Sequence, residues 1–136
     1  MSFGAGVARF RKDKTCTAWI CSDPEVAREY EESELCGFTF TDDAYLALFD
    51  LMKRAYDVKH WKCTKPEMPV LFISGAEDPC MGNVRQFAKS VRAMRCAGYR
   101  DVRGKLYPGM RHEILNEKDR EKVYHDIFTY ICKKGL

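Results

Sequence analysis

Two short loops carry the side chains best suited to chemistry. The stretch "KLYPGMRHEILNE", Lys105 to Glu117, holds His112 between Arg111 and Glu113 in a Pro-Gly loop. The stretch "GAEDP", Gly75 to Pro79, holds Glu77 and Asp78. Imidazole is the side chain whose ordinary pKa lies nearest neutrality, so it can take and return a proton under physiological conditions. A carboxylate bonded to its Nδ1–H fixes the tautomer and steadies the imidazolium that forms. An Asp–His pair of this kind relays protons for a nucleophile. Each residue also has a plainer reading: His112 as a loop histidine with a polar partner, and Asp78 as an ordinary turn residue before proline.

Whether the two loops meet depends on the elements that hold them. "PVLFIS", Pro69 to Ser74, is an unbroken apolar run bounded by Pro and Gly, the pattern of a strand buried on both faces. Asn83 through Ala97 fits an amphipathic helix with Val84, Phe87, Ala88, Val91 and Met94 on one side, stopped by Gly98. "VRGKLY", Val102 to Tyr107, is a second strand. A final helix is expected from about Glu117 to Lys134, capped by Asn116, with Val123, Tyr124, Ile127, Phe128 and Ile131 as its apolar stripe. Strand, helix, strand, helix predicts parallel strands joined by a right-handed crossover. Ligands of such sheets bind beyond the carboxyl ends of the strands. Asp78 follows the first strand and His112 the second, so both belong at one edge of one sheet.

The first half of the chain reads as helices and loops. Ser22-Asp23-Pro24-Glu25 is a helix start, with a short helix running through Tyr30. Thr41-Asp42-Asp43 opens a second helix, with Ala44, Leu48, Leu51, Met52 and Ala55 near helical spacing. Phe38, Phe40, Tyr45, Phe49 and Trp61 are expected in a core. His60 and His125 read as surface residues.

"PVLFISGAEDP" and "LYPGMRHEILNE" together resemble the acid and histidine segments of an α/β-hydrolase of the lysophospholipase, monoacylglycerol-lipase and serine aminopeptidase-like group. The upstream "WICSDPEVAREYEESELCGFTFT" is similar to the cap region of that group. The resemblance implies a partial α/β-hydrolase fold: a helical cap over residues 1–65, then a C-terminal βαβα part over residues 66–136 with two parallel strands. It implies Asp78 as the triad acid, preferred to Glu77 because the motif ends in Asp-Pro, and His112 as the general base. Its implied substrate is a lipid-like ester, and no cofactor is implied.

The nucleophile of that group sits in a G-x-S-x-G elbow, ahead of the acid and the histidine in chain order. None of the nine glycines is followed by x-Ser-x-Gly. Without a nucleophile and the oxyanion donors around it, the two largest contributions to acyl transfer are missing. The expected state is a chain inactive by itself, completed by a missing N-terminal half or paired with a second copy. The alternative is a non-catalytic, self-associating module. Cys80, two residues from Asp78, is a candidate replacement nucleophile but lacks the elbow.

Bulk properties narrow the remaining classes. With 136 residues, 46% hydrophobic and 32% charged, the chain fits one soluble domain. A net charge of +3, with Arg9, Arg11, Lys12 and Lys14 as its densest patch, is too small to imply nucleic acid. No apolar run reaches the ~20 residues of a membrane helix, and the N-terminus does not read as a signal peptide. Seven cysteines without a C-x-x-C read as reduced thiols, so the expected location is the cytoplasm. Neither paired cysteines nor H-x-x-x-H spacing points to zinc. "GAGVAR" at Gly4 begins a dinucleotide-like glycine pattern but breaks at Arg9, with no strand ahead of it.

Overall fold

Val70 to Gly75 and Val102 to Tyr107 pair in parallel, Val70 opposite Val102 and Gly75 opposite Tyr107. These are β1 and β2 of a computed structural model that describes residues 7–10, 12–13 and 15–135. Gly4, Gly6, Arg11 and Lys14, singled out in the sequence, lie outside the described residues. The elements that accompany the strands among the described residues include α1 (Pro24–Glu32), α2 (Asp42–Ala55), α3 (Val84–Cys96) and α4 (Arg120–Lys134), with a 3-10 turn at Val58–His60. The order β1-α3-β2-α4 is the βαβα unit expected, preceded by a helical segment.

Local chemistry sets the helix starts. The Asp23 side chain accepts from the Glu25 N–H at 3.1 Å, with Pro24 in the first helical position. Thr41 Oγ1 accepts from Ala44 N–H at 3.3 Å, and Asn83 Oδ1 from Gln86 N–H at 3.0 Å. α4 ends on Gly135, whose φ of 67° suits glycine. α3 lies against the backbone of β2: a Cβ on Gly104 would come within 2.8 Å of the Phe87 ring. At the carboxyl end of β2, Tyr107, Met110, Ile114 and Val123 form a buried cluster, with Ile73 and Ile127 packed on it.

The structure departs from the sequence in three places. α4 begins at Arg120 rather than Glu117, and Asn116 does not cap it. The Asn116 side chain instead donates to Glu113 at 2.8 Å, while Glu117 is drawn into the interior as a buried acceptor. The aromatic residues expected in a core sit at the surface: Phe38 is 64% exposed and Phe49 59%. They stack on each other through Phe40 and Tyr45, and no residue of α2 is buried. The apolar stripe of α4 is divided, with Val123 buried and Phe128 67% exposed. Val84 of α3 is exposed as well. For the aromatic residues, for Val84 and for the outer part of the α4 stripe, the apolar face has formed, but no element among the described residues covers it. Among the described residues β1 and β2 likewise have only each other as strand neighbours.

A close backbone approach lies where β1 ends. A Cβ on Gly75 would stand 2.1 Å from the Arg111 carbonyl oxygen and 2.3 Å from that of Met110. Those atoms are main chain and cannot turn aside. Gly75→Ala is therefore expected to cost at least about 3 kcal/mol by forcing the histidine loop off the strand. Gly109→Ala, at positive φ but facing open space, should cost only about 1–2 kcal/mol. Urea midpoints for the two variants check this, and equal losses would contradict it.

Candidate active site

The acid loop begins where β1 stops. The Asp78 N–H donates to the Gly75 carbonyl at 3.2 Å and closes a tight turn. The turn holds the Asp78 side chain in the interior, 7% exposed. Its oxygens accept from the Cys80 N–H at 2.8 Å and from Ser74 Oγ at 3.3 Å. The histidine loop is laid onto this turn by main-chain bonds. Ala76 N–H donates to Tyr107 O at 2.9 Å, and Glu77 N–H to Met110 O at 3.0 Å. Glu77, the rival acid, thus anchors the loop through its backbone.

His112 then stands over Asp78. Its Nδ1 is 3.2 Å from both carboxylate oxygens. The imidazole is half-exposed, and the Trp19 ring lies 5.4 Å from it, centroid to centroid. The two residues singled out in the sequence are brought together at the carboxyl ends of β1 and β2. His60 pairs with Asp57 at 2.9 Å on the surface, and His125 is exposed on α4.

A buried carboxylate holds the histidine loop from beneath. Glu117, 1% exposed, accepts from Arg111 N–H at 2.7 Å and from Ser22 N–H at 3.1 Å, and also from the Ser22 hydroxyl. Glu113 N–H donates to Ile20 O at 2.8 Å. The Arg111 guanidinium reaches the Ala18 and Cys21 carbonyls, pairs with Asp13 at 2.7 Å and lies 4.4 Å from the Phe10 ring centroid. The segment ahead of α1 is thereby tied to the residues on either side of His112. Sequence reading missed Glu117, because an acid at the head of a periodic run looks like a favourable first-turn residue.

The pair perturbs both its members. Burial works to raise the Asp78 pKa, but the hydrogen bond with His112 and then the one from Cys80 N–H outweigh it, leaving the carboxyl below its ordinary value. The hydrogen bond to Asp78, followed by the contact with Cys80, pushes His112 up to about 10. Cys80 belongs to the same cluster: one donor atom from each of Asp78, Cys80 and His112 lies within 4.8 Å of the others. Beside Cys80 opens a cavity of about 540 Å³, lined by Tyr56, Val58, Trp61, Phe72 and Met81 among others.

Comparison with known proteins places the family and the fold. The model of the serine aminopeptidase, S33, family matches residues 5–119. The chain belongs to that family. A carboxyl esterase from Bacillus coagulans superposes with a TM-score of 0.82 at 24% identity, over 96% of this chain and 43% of the esterase. A lipase in its open form gives 0.81 at 24% identity, over 97% of this chain and 43% of the lipase. A monoacylglycerol lipase from Paleococcus ferrophilus gives 0.65 at 18% identity, over 97% and 51%. These likenesses establish a partial α/β-hydrolase fold, and the chain spans about half the length of each structure or less. Among the described residues, no helix of this S33-family chain is long and apolar enough to cross a membrane.

The raised His112 pKa has a definite sign. Its contribution to stability is complete below about 6.5, the unfolded value, and is lost as pH rises through about 10. The Asp78 contribution is present above its ordinary range and lost as pH falls through its lowered value. An NMR titration of the imidazole should give a midpoint well above 6.5, returning toward that value in Asp78→Asn. An unchanged midpoint in the variant would show that Asp78 is not its cause.

Proposed function

We propose that this chain supplies the acid–base half of a serine hydrolase acting on lipid-like carboxylic esters, and that it is inactive until a nucleophile is provided. The pairing of His112 Nδ1 with the buried Asp78 at the carboxyl ends of two parallel strands carries the reading. In this role Asp78 holds the proton on Nδ1, and Nε2 of the neutral imidazole, the form present above its raised pKa, takes the proton of an incoming serine hydroxyl. It then returns that proton to the leaving alcohol. The serine and the oxyanion donors come from a further length of hydrolase fold set against the open edge of the sheet.

The helical segment of residues 1–65 acts as a lid in this reading. The cavity beside Cys80, walled by Tyr56, Trp61 and Phe72, offers an apolar place for an acyl chain next to the pair. The exposed aromatic and aliphatic faces of α2 and α4 are the surfaces on which the missing part would settle. The same bare faces favour a second reading, in which two copies cover each other and no catalysis follows.

A serine-directed fluorophosphonate separates these possibilities. The purified chain should show no labelling alone. It should support labelling of a G-x-S-x-G chain that is unreactive by itself, and His112→Gln should reduce that labelling by at least about 100-fold. Labelling of the isolated chain would contradict the absence of a nucleophile. A folded complex that never labels would favour the non-catalytic module.

A further inference from the structure

The cluster at the strand ends holds more than a hydrolase pair requires. Cys80 has no part in the proton relay, yet its sulfur, an Asp78 oxygen and a His112 nitrogen all lie within 4.8 Å of one another. We propose that Asp78, Cys80 and His112 form a binding site for a thiophilic divalent cation of the zinc class. The donor set is one thiolate, one imidazole and one carboxylate, the mixture of sulfur, nitrogen and oxygen that Zn²⁺ accepts. Hard cations such as Mg²⁺ and Ca²⁺, which take oxygen ligands, do not match it.

The geometry asks for little movement. Around a tetrahedral ion with bonds of about 2.0–2.3 Å, ligand atoms stand about 3.3–3.8 Å apart. Asp78 is preset by the Ser74 hydroxyl and the Cys80 N–H, and 8% of its side chain is exposed. Hydrogen-bonded support of this kind orients a ligating carboxylate. Cys80 and His112 sit at the surface, and the three donors leave the fourth position to water. Three protein ligands and an open position describe an accessible site rather than a closed structural one.

The donors alone define this site. Its consequence for catalysis depends on the hydrolase reading. A cation that engages the His112 ring occupies a nitrogen lone pair or withdraws Asp78 from Nδ1. Either change silences the relay, so metal occupancy and proton transfer exclude each other, and the cation acts as an off-switch for the same residues.

Cobalt(II) reports on the site directly. Titrating the reduced, purified chain with Co²⁺ should give one equivalent bound, with thiolate-to-cobalt absorption in the near ultraviolet, reversed by Zn²⁺. Cys80→Ser should abolish that absorption and weaken Zn²⁺ binding by at least about 100-fold. Cys96→Ser, an exposed cysteine on α3 outside the cluster, should change neither. Zn²⁺ should also shield Cys80 of the unaltered chain from alkylation, a readout that needs no variant to fold. No cobalt uptake, absorption that survives Cys80→Ser, or alkylation of Cys80 undiminished by Zn²⁺ would overturn the site. None of these outcomes depends on whether the chain supports acyl transfer.

Discussion

One buried carboxylate organises the functional end of this molecule. Glu117 lies in the interior and accepts hydrogen bonds from the main chain of Arg111 and of Ser22. A buried acceptor in such a place is tolerated only if its lone pairs are filled, and here donors come from two distant parts of the chain. Arg111 immediately precedes His112, and Ser22 immediately precedes the cap of α1. The carboxylate thus joins the lead-in to the helical segment with the loop that carries the imidazole. Arg111 adds a second tie through its guanidinium, which spans carbonyls, Asp13 and the Phe10 ring. His112 can stand over Asp78 because the residue beside it is held from below, while Gly75 lets the loop pass close to β1.

The rest of the fold is built less completely. A parallel pair of strands is stable within a larger sheet covered by helices, and two strands by themselves are a weak foundation. α3 covers β2 closely at Gly104, and Val123 and Ile127 of α4 pack on the central cluster. Large apolar faces of α2 and α4 nevertheless point to solvent. Local chemistry has been satisfied at most helix ends, and tertiary burial has been satisfied around the histidine loop, in the segment ahead of α1 and where Val91 and Val102 are buried, but not along α2. That contrast matches a chain covering less than half the length of the esterase and lipase whose fold it shares.

What could be read from the sequence follows the same division. The two strands, the starts of α1, α2 and α3 and the meeting of Asp78 with His112 were legible because each depends on nearby residues or on simple topology, whereas the cap of α4 was misplaced at Asn116. The 2.0 and 3.6 periodicities mark which face of an element is apolar. They carry no information on whether a partner covers that face, so the aromatic run from Phe38 to Phe49 was expected in a core and lies outside. Glu117 was hidden for a related reason: its role is set by a donor near position 22, far away along the chain. The nearness of Cys80 to His112 was partly visible, since it follows Asp78 by two residues. Its place in a three-donor cluster was not, because ligand-spacing rules search for pairs within one segment and this set is assembled from two.

The claim that Glu117 ties the histidine loop to the α1 lead-in can be tested by native-state amide hydrogen exchange. Glu117→Met keeps the bulk of the side chain and removes its acceptors. The account predicts that the Arg111 and Ser22 amides are protected together in the unaltered chain and lose protection together in the variant, while β1 and β2 amides keep most of theirs. Arg111 and Ser22 remaining protected in Glu117→Met, or losing protection independently of each other, would contradict it.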